Sequence, residues 1–436
     1  MNTRSIVKKA IPSNLFKDIE PYGHLAEAIL YNTANGFPGR GLKVIGVTGT
    51  NGKTSTAFMI HKMLHEAGYK VGLMTTVAYG VGDNLKPQIH HMTSVPMPEL
   101  MKRLKWMKQQ KIEWLVLETT SHALAQNRVW GVPYSVAVMT NITHEHLDYH
   151  RTFERYRDAK RKLFRLADKN HKGLRAGVIN ADDPSSELFA GDISYPVTYG
   201  INKGDIRAKN IQLLPDSLNY EVKLGEELLH IKCNLPGSFN VYNSLAAVCV
   251  GKTLGLTGLQ IEKGIAALES VEGRMTRINE GQDFSVIVDY AHTPDSFEKL
   301  FRDLRPVIKG KMIVMFGSPG RRDEEKRAVQ GELAGKYADE VIITEEDDRD
   351  IDGQMILEQI AGGAQKAGKV LGKDLFLVHD RTEAIAFSIN RAKSSNDTVL
   401  LLGKGHEKTI ERANGENPWD EIGTAHQSLK EHLKQS

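Results

Sequence analysis

Residues 42–57, LKVIGVTGTNGKTSTA, constrain this chain more than any other stretch. Val44, Ile45 and Val47 suit a short buried strand, Gly49 and Gly52 let the backbone turn tightly, and Lys53 adds a positive charge where a helix should begin. A strand that runs through a glycine-bearing turn into a helix aims backbone N–H groups at an anion. The spacing departs from the common GxxxxGK[ST] rule, since Val47 stands where its first glycine would be. What remains is GTNGKT: Gly49, Thr50, Asn51, Gly52, Lys53 and Thr54. Thr54 or Ser55 can offer a hydroxyl to magnesium. The expected ligand is ATP or GTP.

A chain of 436 residues can bury ample core and usually makes two or three domains. With 57 basic against 54 acidic residues, nothing argues for a nucleic-acid or membrane surface as the main partner. Cys233 and Cys249 lack metal-ligand or redox spacing, which fits free thiols in a reducing compartment. No apolar run approaches the roughly 20 residues of a membrane span, and the amino terminus has no signal-like apolar core. The expectation is a cytoplasmic enzyme of small molecules.

Residues 1–41 form a short front segment with one expected helix, near 24–31. From residue 42, apolar strands alternate with helices: strands at 42–48, 71–75, 114–118, 134–140 and 176–180, and helices at 53–67 and 98–110. That alternation predicts a parallel sheet covered on both faces. Residues 206–233 read as an appended meander, and helices at 238–254 and 259–269 close a first domain, 42–272. A second alternation over 273–436, with strands near 285–288, 311–316, 340–344, 375–378 and 397–402, predicts a smaller doubly wound, Rossmann-like domain. The fold class is therefore α/β, a phosphate-loop ATPase domain followed by a doubly wound one. Asp289 and His292, Arg322 and Asp323, Asp347 to Arg349, and Lys404 to Glu407 follow these strands, where open α/β sheets bind ligands. Both domains are expected to turn their strand ends toward one cleft.

Glu118 ends the strand WLVLE, where a carboxylate can reach a magnesium held by the phosphate loop. TNITHEHLDYH gathers His144, His146, Asp148 and His150, but no cysteine or HExxH helix supports zinc. In YRDAKRKLF, spacing alone selects neither Lys160 nor Lys162.

GTNGKTST, ETTSHALAQNR, TNITHEHLDYH, YRDAKRKLF, GSFNVYNSLAA, EGRM, VDYAHTPDS and LLGKGHE, in this order, resemble the Mur ligase family, within it the branch adding the third residue of the peptidoglycan stem peptide. The resemblance spans about residues 42–436. It implies an ATP-dependent amide ligase in which an acceptor carboxylate is phosphorylated and the acyl phosphate is attacked by an amine. It also implies that Lys53 and magnesium neutralise migrating charge, that Thr54, Glu118 and His146 ligate magnesium, and that Lys160 is carbamylated and holds a second ion. Asn240 and Asn243 match the adenine side, Arg274 the phosphates, and Asp289 with His292 the ribose or phosphate region. Thr75, Thr76, Thr120, Gln126 and Arg128 match positions for the acceptor peptide. Arg322 and Arg349 match those for the distal carboxylate of meso-diaminopimelate, and Gly403 and Glu407 those for its distal amine. The family's GDRD reads here Gly320-Arg321-Arg322-Asp323, and its amino-acid-selecting DNPR reads Glu346-Asp347-Asp348-Arg349. The short front suggests recognition shifted from uridine toward the muramoyl peptide. The expected product is a monomeric ligase adding meso-diaminopimelate, else L-lysine; a folylpolyglutamate-synthase-like ligase and a lapsed nucleotide-binding scaffold are the alternatives.

Overall fold

The computed structural model describes residues 13–88, 93–214, 217–321 and 324–435, and all of their side chains except those of 13–19, 148 and 435. Two compact units emerge. One holds the chain through Asn210 with Tyr220–Ile231 and Tyr242–Ala267; the other holds Ile211–Asn219, Lys232–Val241 and everything from Leu268.

The first unit runs α1 (Ser13–Ala34), β1 (Lys43–Thr48), α2 (Lys53–Glu66), β2 (Val71–Met74), β3 (Ala78–Val81), β4 (Asn84–Pro87), α3 (Met97–Gln109), β5 (Trp114–Glu118), α4 (Ser121–Ala125) and β6 (Tyr134–Met139). It continues through α5 (Leu147–His150), α6 (Phe153–Asp168), β7 (Ala176–Asn180), α7 (Ser186–Ala190), β8 (Tyr195–Gly200), β9 (Ile206–Leu213), β10 (Leu218–Leu224) and β11 (Glu227–Cys233). Helices α8 (Ser238–Thr253) and α9 (Gly258–Ala266) follow. Its sheet has the order β11-β10-β9-β8-β7-β6-β1-β5-β2-β3-β4. Strand β1 lies in the middle, parallel to both β5 and β6. That placement accounts for its near-unbroken apolar run, since a strand covered on both faces has no solvent side to make polar. Gly46 is the exception in the run, and a Cβ there would lie 2.7 Å from Leu163 and from the Tyr134 ring. The sheet thus sits close under α6, the helix that carries Lys160.

The front segment is more structured than a lone helix over 24–31. Helix α1 extends to 22 residues and is tied to the loop after α4, with Asn127 Nδ2 donating to the Pro21 carbonyl at 3.1 Å and Asn32 Nδ2 to the Trp130 carbonyl at 3.1 Å. Gly131 closes on it so tightly that a Cβ would stand 2.6 Å from Asn32 Oδ1. Strands β3 and β4, which the sequence reading did not anticipate, extend the β2 edge antiparallel.

The second unit contains β12 (Thr276–Ile278), β13 (Ser285–Asp289), α10 (Pro294–Leu304), β14 (Met312–Phe316), α11 (Glu325–Tyr337), β15 (Glu340–Ile343), α12 (Gly353–Lys366), β16 (Leu375–Leu377), α13 (Arg381–Arg391) and β17 (Thr398–Leu402). The hairpin β18 (Thr409–Arg412) and β19 (Gly415–Pro418) and helix α14 (Glu421–Gln435) complete it. The six-stranded sheet has the order β12-β13-β17-β14-β15-β16, parallel except for β12. Side chains alternate between its faces: Ile287, Val314, Val341 and Leu400 join one core, and Val288, Ile313, Ile342 and Leu401 the other. A strand's two-residue period makes this the signature of a sheet covered on both sides. No helix among the described residues is long and apolar enough to cross a membrane.

Candidate functional site

The phosphate-loop geometry follows from residues outside the loop as much as from its own. Gly52 precedes α2 in the left-handed region, φ 81°, and a Cβ there would lie 2.2 Å from Asn243 Oδ1. At Gly49 a Cβ would stand 1.8 Å from Thr140 Oγ1. Both glycines are therefore required by close approach. Thr140 Oγ1 donates to the Asn51 carbonyl at 2.6 Å, and Asn141 accepts from the Asn51 N–H on its side-chain oxygen at 3.0 Å and from the Thr50 N–H on its backbone carbonyl at 2.7 Å. Thr50 Oγ1 sits 2.9 Å from the Tyr156 hydroxyl. Asn243 lies behind the loop, its Oδ1 accepting from Thr56 Oγ1 at 3.3 Å.

Glu118, ending β5 next to β1, is 2% exposed. Its Oε2 accepts from Thr54 Oγ1 at 3.0 Å and from the Thr76 N–H at 3.0 Å. A buried hydroxyl and carboxylate at the start of the loop helix are a hard-oxygen donor set that fits magnesium. Ser55 is the next buried residue of α2. Lys53 Nζ donates to the Thr50 carbonyl at 2.7 Å.

Lys160 is fully enclosed, unlike Lys162. Its amine donates to the Gly49 carbonyl at 2.6 Å and lies 4.6 Å from the centre of the Tyr156 ring. Burial first, and the Lys53 charge second, hold this amine well below the ordinary lysine range, a shift toward the neutral form. Lys162 instead caps the far side of the helix, bonded to Asn127 and to the Leu124 carbonyl.

The histidines form an aromatic cluster. His122 packs 4.7 Å from His146, 4.5 Å from Tyr149 and 5.3 Å from His150, and burial lowers its pKa to about 2. His150 Nε2 is 3.1 Å from Ser121 Oγ. His146 adopts φ 56° and lies 6.2 Å from the Tyr156 ring. His144 stacks on Phe153, apart from that group.

Among the acceptor-side residues, Thr120 caps α4 and meets Ser94 Oγ at 3.1 Å. Arg128 Nη1 donates to the Ser94 carbonyl at 2.7 Å. Thr75 closes its own turn onto Ala78, Thr76 Oγ1 bonds Thr93, and Gln126 reaches Glu20 of α1 at 3.4 Å.

In the second unit, Asp289 ends β13 and accepts from the Met275 N–H at 2.8 Å and the Ala291 N–H at 2.7 Å; burial nonetheless raises its pKa. Arg274 stacks on Tyr290, 4.6 Å from the ring centre, and His292 Nδ1 meets the Tyr290 carbonyl at 2.8 Å. Asn240 Nδ2 donates to the Pro236 carbonyl at 2.7 Å. Beyond β15 and β17, opposite charges pair. Lys404, fully buried, bridges Asp347 at 2.9 Å and Glu407 at 2.6 Å, and Glu407 also accepts from the Tyr290 hydroxyl. Asp348 pairs with His379 at 2.9 Å, and Arg349 with Glu411 at 2.7 Å. Glu346 is buried, which raises its pKa, and lies against Gly403, where a Cβ would stand 2.9 Å from Glu346 Oε2. Arg322 lies outside the described residues. Glu345, Asp348 and His379 converge closely enough to suggest a metal site, but both Glu345 oxygens already accept from Arg412, at 2.8 and 2.6 Å.

The sequence reading assigned no role to Tyr156, Thr140, Asn141 or Glu411, and named Lys404 only within the cluster 404–407. Tyr156 carried one usable signal: it stands four residues before Lys160 in a helix, on the same face.

Known proteins match nearly the whole chain. Residues 47–251 match the profile described as the Mur ligase middle domain, and 273–405 that of the Mur ligase glutamate ligase domain. A UDP-N-acetylmuramyl-tripeptide synthetase of Roseiflexus sp. (strain RS-1) is 41% identical, over 94% of this chain and 83% of that protein. A UDP-N-acetylmuramoyl-L-alanyl-D-glutamate--2,6-diaminopimelate ligase of Geobacillus thermodenitrificans (strain NG80-2) is 37% identical, over 92% and 82%. A solved structure of a ligase of that second kind superimposes with a TM-score of 0.64 at 26% identity, covering 95% of this chain and 83% of the other.

Proposed function

The chain belongs to the Mur ligase family of ATP-dependent ligases, and on that premise we propose that it joins a diamino acid to a UDP-N-acetylmuramoyl-L-alanyl-D-glutamate-type acceptor in peptidoglycan precursor synthesis. The observation that carries the reading is the Thr54–Glu118 pair at the mouth of the glycine-bearing loop, with Lys53 and the buried amine of Lys160 both bonded to carbonyls of that loop. Such a site suits phosphoryl transfer, in which positioning and charge neutralisation do most of the work.

The acceptor carboxylate oxygen bonds to the γ-phosphorus as the bond to ADP breaks. The incoming amine then attacks the acyl carbon, phosphate leaves, and the nitrogen loses its proton. In this scheme Lys53 turns from the Thr50 carbonyl to the migrating phosphoryl group. Thr54, Glu118 and His146 would hold magnesium, which supplies charge neutralisation when bound. Lys160 as a neutral amine can add to carbon dioxide: its nitrogen lone pair forms the N–C bond, a C–O π pair moves to oxygen, and a proton is released. The carbamate is an anion in place of an uncharged amine, suited to a second magnesium. Asn240, Asn243, Arg274, Asp289 and His292 are assigned to the nucleotide, and Thr75, Thr76, Thr120, Gln126 and Arg128 to the acceptor. The amino acid is assigned as meso-diaminopimelate, whose distal carboxylate would meet Arg349 and Arg322 and whose distal amine would meet Glu407 near Gly403. Glu346, Asp347 and Asp348 complete that loop. The chain is read as a cytoplasmic monomer.

Phosphate release with ATP and a panel of acceptor and amino-acid pairs tests this. Release dependent on a muramoyl dipeptide and a diamino acid is expected; none with any muramoyl dipeptide would overturn it. A bicarbonate-dependent mass increase on Lys160 is expected in the same preparations.

A further inference from the structure

The loop that follows β15 is gripped by a hairpin, and the grip ends on a charge. The Glu411 N–H donates to Asp347 Oδ1 at 2.9 Å, the Arg349 N–H donates to the Glu411 carbonyl at 3.0 Å, and Arg349 Nε donates to Glu411 Oε2 at 2.7 Å. One residue further, Arg412 takes both oxygens of Glu345. Among the described residues the β18–β19 pair has no third strand. Two-stranded hairpins are marginal by themselves, so these contacts to residues 345–349 anchor the hairpin as much as they hold the loop.

Arg349 is unusual in its backbone as well as its pairing. It occupies the left-handed region, φ 58°, a conformation that persists in a non-glycine residue only where the surroundings impose it. Arg349 Nη1 donates to the Gly320 carbonyl at 2.5 Å, and Gly320 packs so closely that a Cβ would meet the Asp348 carbonyl at 2.2 Å. With Nε on Glu411 and Nη1 on Gly320, the guanidinium is locked in one orientation, and among the described residues its Nη2 has no hydrogen-bond partner. The side chain is 17% exposed and that of Glu411 41%. The neighbouring acids make their direct ion pairs elsewhere: Asp347 with Lys404, Asp348 with His379 and Asp350 with Arg321. Among the described residues Glu411 is the acid bonded directly to Arg349, while the Arg349 charge also acts through space on Asp347 and Asp350, helping to lower their pKa values.

We propose that Glu411 is a specificity-determining residue for the incoming amino acid, aiming the Arg349 guanidinium while cancelling its charge, so that the pair and not the arginine alone weighs a distal carboxylate against a bare distal amine. This rests on the reading of Arg349 as facing the distal end of that amino acid. A lone guanidinium would repel lysine and strongly favour meso-diaminopimelate; a neutralised one keeps its directional donors and loses most of its field. The pocket should accordingly tolerate both amino acids better than an unpaired arginine would.

The test is ligation kinetics with meso-diaminopimelate and with L-lysine for the wild type, Glu411→Gln, Arg349→Ala and the double variant. The glutamine keeps an oxygen for Arg349 Nε and removes the charge. In Glu411→Gln the ratio of kcat/KM for meso-diaminopimelate over lysine should rise about fivefold, the size expected of a part-exposed ion pair, and the rise should be carried by opposite changes in the two KM values. In the Arg349→Ala background the same substitution should shift the ratio distinctly less, since no guanidinium remains to be aimed. Equal shifts for both amino acids, a shift confined to kcat, no shift, or one as large without Arg349 would each overturn the assignment while leaving the ligase reading intact. A wild type that ligates neither amino acid removes the ligase reading, and this inference with it.

Discussion

The phosphate loop of the first unit and the 345–349 loop of the second handle charge in opposite ways. In the first, the two lysines donate to backbone carbonyls of the loop, Lys53 to Thr50 and Lys160 to Gly49, and the loop is shaped by neutral Thr140, Asn141 and Asn243. Lysine amines hydrogen-bonded to neutral carbonyls can be redirected to an anion with little loss. In the second, Glu345, Asp347, Asp348 and Arg349 each already have a partner in Arg412, Lys404, His379 and Glu411. Such a network attracts no particular ion strongly but discriminates between ligands by small imbalances. One region is built for strength and the other for choice.

If that contrast holds, substitutions in the first region should act on rate and those in the second on stability or selectivity. The largest effect is expected at the lysines: Lys53→Ala and Lys160→Ala should each lower kcat by about 10²–10³-fold in a phosphate-release assay. A Lys160→Ala enzyme with near wild-type kcat would break the comparison at its strongest point. Next comes the ion pair beneath the second loop. Arg381 and Glu421 are both completely buried and doubly bonded, at 2.8 and 2.7 Å, and Arg381 also donates to the Glu345 and Leu402 carbonyls. Removing one partner by Glu421→Leu strands the other's charge and should cost about 3–5 kcal/mol in denaturant unfolding of that unit. An unchanged midpoint would mean that the loop's charges do not depend on this support.

Gly52→Ala should be smaller and act on both stability and nucleotide binding. The added methyl meets Asn243 at 2.2 Å in a left-handed turn, and about 1–3 kcal/mol of strain is expected, with weaker ATP binding by calorimetry. The Gly52→Ala/Asn243→Ala pair should recover part of the loss if the clash, and not φ alone, is its source. The smallest effect concerns pH. His61 in α2 is buried, and burial lowers its pKa from 6.5 to about 4. The unfolded chain then binds a proton that the folded one rejects between those values, so stability is intact above pH 6.5 and falls as pH drops toward 4, by about 2 kcal/mol at pH 5. Melting temperatures from pH 7.5 to 5 should show a shallower decline in His61→Leu than in the wild type.

The sequence alone determined what depends on local pattern. The apolar run over 42–48, the Gly49 and Gly52 turn, and the alternation of strands and helices in both units are properties of short windows, because strand period, glycine freedom and helix propensity act within a few residues. Glu118 at a strand end was legible for the same reason. The resemblance pointed to Lys160, but its physical difference from Lys162 is visible only in the tertiary structure. Both lie in one charged helical segment, and Lys160 is the one enclosed between the Gly49 carbonyl and the Tyr156 ring packed against one face of α6. The tertiary structure also decided that the acid bonded directly to Arg349 is Glu411, from a hairpin the sequence pattern did not announce, and not a neighbour in its own loop. Charge is counted in sequence but neutralised in space, over a few ångströms that chain separation does not encode.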